Sequence, residues 1–404
     1  MRVLLSTYGS RGDVEPMAAL AVQLRARGAE ALVCAPPDEE FARLLSSCEV
    51  PMIPVGDAVR PLVTGTAVPS VMDPVERTAA ILTEHYAAIT AAAAGCDAIL
   101  ATGMFPVAAA ARSAADKLGL RYHYVSLQPT FLPSAQHPPP ERPGHPLPSG
   151  LHDNLALWAH DAASMNGLFR GAVNRHRATV GLPPVDDVRG HVFTAEPWLA
   201  ADPTLSPWGP SDHGVVQSGA WFLPAERPLS AALETFLDAG TPPVYIGFGS
   251  IPVRPAAIAA RVAVGAARAH GRRAVLSSGW AGLAPFDDRD DYIAVGEVDH
   301  RALFRRVAAV VHHGGAGTTA AAAFAGAPQV IAPQIADQPY WARRVAELGI
   351  GAAHDRPALT IRSLAAALAT ALTPETRTRA TEIAVVINPD GAAAAAQLLL
   401  EATG

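Results

Sequence analysis

Lysine is nearly missing from this chain. Lys117 is the only one, so the 31 basic residues are almost all arginine, and the formal net charge is −6. A surface that binds polyanions needs a cationic excess. None is present, so nucleic acid is not expected as a partner. Cysteine is also scarce. Cys34, Cys48 and Cys96 are odd in number and irregular in spacing, which argues against a disulfide framework and against paired metal ligands. Cys34 lies in the apolar stretch EALVCAPP, where a small buried thiol is expected. The opening MRVLLSTYG has one Arg and an apolar run too short for the h-region of a secretory signal, so cytoplasmic residence is expected. Between Val310 and Ala336 there is no charge at all. That stretch is long enough to span a bilayer, but its Gly, Pro, Gln and His content argues against insertion, and no membrane span is expected.

What the chain does have is apolar residues, 50% of 404, enough for two domains with cores of their own. RVLLSTYG reads as a strand and SRGDVEP as a loop. PMAALAVQLRARG reads as a helix with Met17, Leu20, Ala21 and Leu24 on one face. Pro16 suits its start and Gly28 its end. With AEALVCAPP as the next strand this makes a βαβ unit. DAILATG, PVAAAARSAADKLG and RYHYVSL continue the alternation. Residues 129–150 are proline-rich and aperiodic, and a loop of that length is usually functional or mobile. PWLAADPTL gives a last short strand. The Pro-, Gly- and Ser-rich stretch 206–230 is expected to link residues 1–205 to a second domain, 231–386, followed by a terminal helix, 387–404. The second half repeats the rhythm: PVYIGFGS, a helix near 256–270, RAVLSSG, YIAVGEV, a helix near 300–307, AAVVHHGG, a helix from about 318, QVIAPQ and a helix near 339–348. Alternation of this kind predicts an α/β protein of two doubly wound parallel-sheet domains facing each other.

In open parallel sheets, ligands sit outside the carboxyl ends of the strands. HHGGAGTT follows a strand and opens a helix, so its glycines allow backbone N–H groups to approach an anion. His313 can donate to a phosphate oxygen, and Thr318 can cap the helix or touch a phosphate. The alternative is a tight strand–helix turn that simply needs glycine. Ser250, ending a neighbouring strand, favours the phosphate reading. Asp337-Gln338 offers acceptors and an amide, which suit sugar hydroxyls better than phosphate; its plainer role is a polar helix start. In the first half, GSRGDVEP is not the G-x-G-x-x-G of a dinucleotide fold, and APPDEE is a poor ribose-binding match, so an NAD-dependent oxidoreductase is disfavoured. Asp13 faces the expected cleft as a candidate general base, with an N-cap as its competing role.

MRVLLSTYGSRGDVEP, GLPPV, QSGAW, VYIGFGS, GRRAVLSSGW, FRRVAAVVHHGGAGTT and ADQPYWARRVAELGIG occur in order along essentially the whole chain. Together they resemble the antibiotic glycosyltransferases of actinomycetes, most closely the glycopeptide (vancomycin and chloroeremomycin) type. The resemblance implies a GT-B fold of two Rossmann-like domains, the first binding an aglycone acceptor and the second a UDP- or TDP-sugar. It implies inverting transfer with no metal and no cofactor beyond that co-substrate, in a monomer or weak dimer. It also implies Asp13 as general base. Ser10, Ser250, His313, Gly315, Gly317 and Thr318 would lie at the diphosphate, Val298 on the donor side, and Asp337 and Gln338 at the sugar. Plant relatives stack the base on a Trp where this chain has Val295, so base choice is not readable by that rule. Two other classes remain: another enzyme of this fold, such as a nucleotide-sugar epimerase or a cell-wall glycosyltransferase, and a catalytically silent nucleotide-sugar-binding auxiliary protein. The segment 56–74 and the loop 129–150 are expected to shape the acceptor side.

Overall fold

The computed structural model describes residues 1–66, 74–141, 146–209, 214–224, 227–250, 256–280, 282–354 and 359–401. Residues 67–73 and 142–145, within the two segments expected at the acceptor side, lie outside that set. Two parallel sheets organise the chain. The first contains β1 (Arg2–Ser6), β2 (Glu30–Ala35), β3 (Met52–Pro54), β4 (Ala98–Ala101), β5 (Arg121–Ser126), β6 (Trp198–Leu199) and β7 (Val216–Gln217). The second contains β8 (Val244–Gly247), β9 (Ala274–Ser277), β10 (Tyr292–Val295), β11 (Ala309–His312), β12 (Gln329–Ile331) and β13 (Gly351–Ala353). Their orders are β3-β2-β1-β4-β5-β6-β7 and β10-β9-β8-β11-β12-β13. Every pairing within both sheets is parallel.

The central strands are buried along their length, as the unbroken apolar runs of β4 and β8 require when helices cover both faces. Strand order reverses between β1 and β4 in the first sheet and between β8 and β11 in the second. At such a switch point the flanking loops diverge and leave a crevice. The loops after β1 and β11 are the two that carry the Gly-rich motifs.

Some boundaries differ from expectation. The helix after β1 begins at Arg11, so Pro16 lies inside it, beyond the first turn. Ser10 caps that helix from a loop that turns sharply out of β1. β7 falls within the stretch 206–230 expected as a linker and extends the first sheet.

The last helix, Gly391–Glu401, returns to the first half. Its Ala392, Ala395, Ala396 and Leu399 share one apolar cluster with Val14, Met17 and Leu24 of the helix Arg11–Ala26. The returning chain crosses the outgoing one where Trp221 and Asp390 bridge. A Cβ on Gly391 would stand 2.4 Å from the Ala220 carbonyl oxygen, so only glycine fits this crossing. The buried Asp202 carboxylate takes the Asn388 N–H of the returning chain at 3.1 Å and the Thr204 N–H of its own turn at 2.8 Å. Trp280, from the loop after β9, is inserted into the first half's cluster beside Phe41.

Candidate functional site

The carboxyl ends of the two sheets face each other, and side chains bridge them at the rim. Arg11 Nη1 meets Glu297 Oε1 at 2.6 Å, and Trp280 Nε1 donates to Glu40 Oε1 at 2.6 Å. Arg11 and Glu40 come from the first half, Trp280 and Glu297 from the second. The sequence motifs pointed to neither pair, because each joins residues far apart in the chain.

Asp13 sits on the first turn of the helix after β1. It is the third helical residue and not the N-cap; Ser10 holds that position, and the Asp13 Oδ2 accepts the Ser10 N–H at 2.8 Å. The Ser10 hydroxyl is farther, at 3.5 Å from the same oxygen. Gly9 makes room for this carboxylate: a Cβ there would lie 2.2 Å from Asp13 Oδ2. Burial in the cleft lifts the Asp13 carboxyl to about 6, the facing Asp337 adds to the rise, and the Ser10 N–H opposes it. A carboxylate tuned to that range is a competent base near neutral pH.

Across the cleft, His312 and His313 divide their labour. His312 ends β11 and is buried. Its Nδ1 accepts the Gly314 N–H at 3.1 Å, so its proton sits on Nε2, which lies 3.0 Å from Gln329 Oε1. Burial pushes His312 down to about 3. It is a neutral brace that holds the turn at Gly314, whose φ of 95° is open to glycine and whose Cβ would strike Ile331. The sequence flagged the His-His pair but gave no role to the first. The His313 ring fits between Gly249 and Gly315, where added Cβ atoms would lie 2.7 and 2.6 Å from it. Burial pushes His313 down to about 4. Its Nδ1 is buried with no protein partner among the described residues.

The helix that follows starts at Ala316, with Gly315 as N-cap. Thr318 is therefore not the cap; it lies in the first turn beside Gly317. A glycine cap has no side chain to occupy the first free N–H groups, so they stay open to an anion. Ser250 lies in the turn after β8, next to Gly249, which packs against the His313 ring.

Asp337 precedes the helix Gln338–Glu347. It holds the N-cap position, but its carboxylate does not cap. Instead its Oδ2 accepts the Trp341 indole N–H at 2.6 Å. Burial raises the Asp337 carboxyl and the indole opposes the rise. Ala336, just before it, is held at φ 55°. Gln338 Oε1 accepts the Gln334 and Ile335 N–H groups at 2.7 and 3.0 Å, which ties the loop. Val298 and Val295 line a recess of about 390 Å³ together with Arg227, Leu229 and Leu233.

Reading along the rim in strand order gives Val298 after β10, Ser278 after β9, Ser250 after β8, His313 and Gly315 after β11, and Asp337 after β12. From β10 to β11 is three strand spacings, roughly 14 Å, the scale of a nucleoside diphosphate. Asp13 stands across the cleft, on the helix after β1, and feels the Asp337 end of this row.

Residues 3–135 match the family described as glycosyltransferase family 28, N-terminal domain, and residues 290–394 match the erythromycin biosynthesis protein CIII-like C-terminal domain. The chain is 54% identical to glycosyltransferase GtfE and 53% identical to vancomycin aglycone glucosyltransferase, covering 100% of this chain and 98% of each. It is 48% identical, over 100% of its length and 98% of the relative, to dTDP-epi-vancosaminyltransferase; all three are from Amycolatopsis orientalis. Among solved structures, spinosyn forosaminyltransferase SpnP superposes over 100% of both chains with a TM-score of 0.73 at 18% identity. Spinosyn rhamnosyltransferase SpnG complexed with thymidine diphosphate covers 99% of this chain and 100% of its own, with a TM-score of 0.66 at 19% identity.

Proposed function

Because the chain belongs to the glycosyltransferases of the glycopeptide-antibiotic type and has their two-domain GT-B fold, we propose that its cleft moves a hexose or deoxyhexose from a UDP- or TDP-sugar to a hydroxyl of an antibiotic aglycone, a glycopeptide first. The observation that carries this is the row of loops along the second sheet, with the buried carboxylate of Asp13 opposite one end.

The nucleoside lies toward Val298. The diphosphate lies at Ser250, His313, Gly315, Gly317 and Thr318, within reach of Ser10 from the other side. The sugar lies at Asp337 and the Gln338 amide. Asp13 takes the proton of the acceptor hydroxyl, the acceptor oxygen bonds to C1, and the C1–O bond to the diphosphate breaks with its electron pair leaving on phosphate. Base and leaving group on opposite sides of the sugar make a single displacement that inverts C1. Charge building on the leaving phosphate meets open backbone N–H groups, a helix N-terminus and His313, the stabilisation a metal gives elsewhere. Residues 1–217, completed by 391–401, form the acceptor half, and 231–386 the donor half.

The test is a mass-spectrometric transfer assay of a panel of aglycones against UDP- and TDP-sugars, with the anomer read by NMR. The expected result is an aglycone heavier by one sugar residue, joined with the configuration opposite to the donor. A sugar epimerised without transfer would replace this reading with an epimerase. Nucleotide-sugar binding with no turnover on any aglycone would favour an auxiliary protein.

A further inference from the structure

Asp337 is held in an unusual way. An aspartate at a helix N-cap ordinarily turns its carboxylate onto the first free N–H groups. Here the helix Gln338–Glu347 has no side-chain cap. The carboxylate reaches one turn along the same face to Trp341, whose indole N–H takes Oδ2 at 2.6 Å. Trp341 is only 2% exposed and packs with Ile331, Ala320 and Ala323 behind the phosphate-side helix, so water cannot replace the indole. The backbone supports the same arrangement, with Ala336 in the left-handed region at φ 55°, a conformation alanine resists.

The helix is also anchored to the other half. Tyr340 reaches Ser206 Oγ at 3.3 Å, and Arg344 Nε donates to the Leu205 carbonyl at 3.0 Å. Asp337 is thus fixed in rotation by its own helix and in place by the half that carries Asp13.

We propose that Trp341 is a positioning residue for donor selection: by occupying Oδ2 of Asp337 it sets the direction from which the remaining oxygen accepts a sugar hydroxyl. The inference rests on the reading of Asp337 as the sugar contact. A carboxylate with one oxygen committed to a rigid donor accepts along a narrow set of directions. A freely turning one accommodates a hydroxyl of either configuration. Trp341 therefore governs discrimination between sugars, while the phosphate contacts govern overall affinity.

The experiment titrates the full-length protein with nucleotide hexoses epimeric at C2, C3 or C4, and with the bare nucleoside diphosphate. It compares the native chain with Trp341→Phe and Asp337→Asn. Trp341→Phe is expected to shrink the largest affinity ratio between epimers by about threefold to tenfold, the scale of one misdirected hydrogen bond to a charged group, and to leave the bare nucleotide within about twofold. Unchanged ratios in Trp341→Phe, with ratios reduced in Asp337→Asn, would overturn the positioning role and leave Asp337 as the sugar contact. Unchanged ratios in both would remove the sugar contact itself. A uniform loss across all ligands in Trp341→Phe would make Trp341 a packing residue only. If Trp341→Phe does not fold, 3-benzothienylalanine at position 341 replaces the N–H by sulfur with almost no change of shape, and the same ratios decide.

Discussion

Asp13 meets two demands that pull in opposite directions. It accepts the N–H that starts its helix, which favours the ionised form, and it is buried opposite a second carboxylate, which disfavours it. Burial prevails, and the group titrates at about 6. The rate of transfer should therefore rise with pH through that value and level off above it, since only the carboxylate takes the proton. Asp13→Asn should abolish this limb and lower kcat by roughly 10²- to 10⁴-fold, with little change in donor affinity. A variant that kept native turnover would move the base elsewhere. Stability follows the opposite sign. A carboxyl whose folded value is raised stabilises the fold while protonated, and that contribution is lost as pH rises through about 6. Melting curves should show Asp13→Asn gaining on the native chain between about pH 4 and 7.

His313 has the opposite tuning. Held at about 4 by burial, it is neutral in the free protein over the working range. Nucleotide affinity should show no histidine step near pH 6.5. His313→Ala should weaken UDP and TDP by a similar factor of about 10 to 100, the worth of one hydrogen bond to a charged phosphate. A loss confined to one nucleotide in calorimetry would move His313 from the phosphate to the base or ribose.

At the scale of elements, the loops after β11 and β12 owe their shape to backbone conformations that most residues avoid. Ala336 at φ 55° carries a strain of about 1 kcal/mol. Ala336→Gly should relieve it and raise stability by roughly 0.5 kcal/mol once the looser unfolded chain is counted. Denaturant titration checks the sign, and a loss of stability would mean that Ala336 is not strained. Most of this scaffold was legible in the sequence. Apolar runs such as DAILA and PVYIG admit only buried parallel strands, and glycines after them mark where the chain must turn. HHGGAGTT was legible as a tight turn from a strand into a helix for the same reason. The helix Asn154–Thr179 was not, because Asp161, His176 and Arg177 are buried on it and break the apolar period. β7 was masked by its two-residue length amid Pro and Gly. The Asp337–Trp341 contact was within reach, since the two residues stand four apart along the helix start. A buried Trp near a helix start, however, reads first as core.

For the whole molecule, the sequence showed two halves but not their exchange of parts. Trp280 crosses into the first half, and the last helix closes over Val14, Met17 and Leu24. Ending the chain at Asp390 should therefore damage the first half, although every deleted residue follows the second. Loss of a cooperative melt, with the N-terminal sheet the first to exchange its amide hydrogens, is the expected outcome. Protection lost in β8 to β13 instead would assign the helix to the other half. The same crossing sets an order on biosynthesis. A ribosome releases residues from the N-terminus forward at about 5–20 per second, so the first half, complete through β7, waits roughly 9 to 35 s before Gly391–Glu401 emerges. The half made first is then the half completed last, and through that interval the apolar face of its leading helix has no permanent cover. A nascent chain stalled after residue 390 should for that reason bind a general chaperone, and release of the final helix should end that binding.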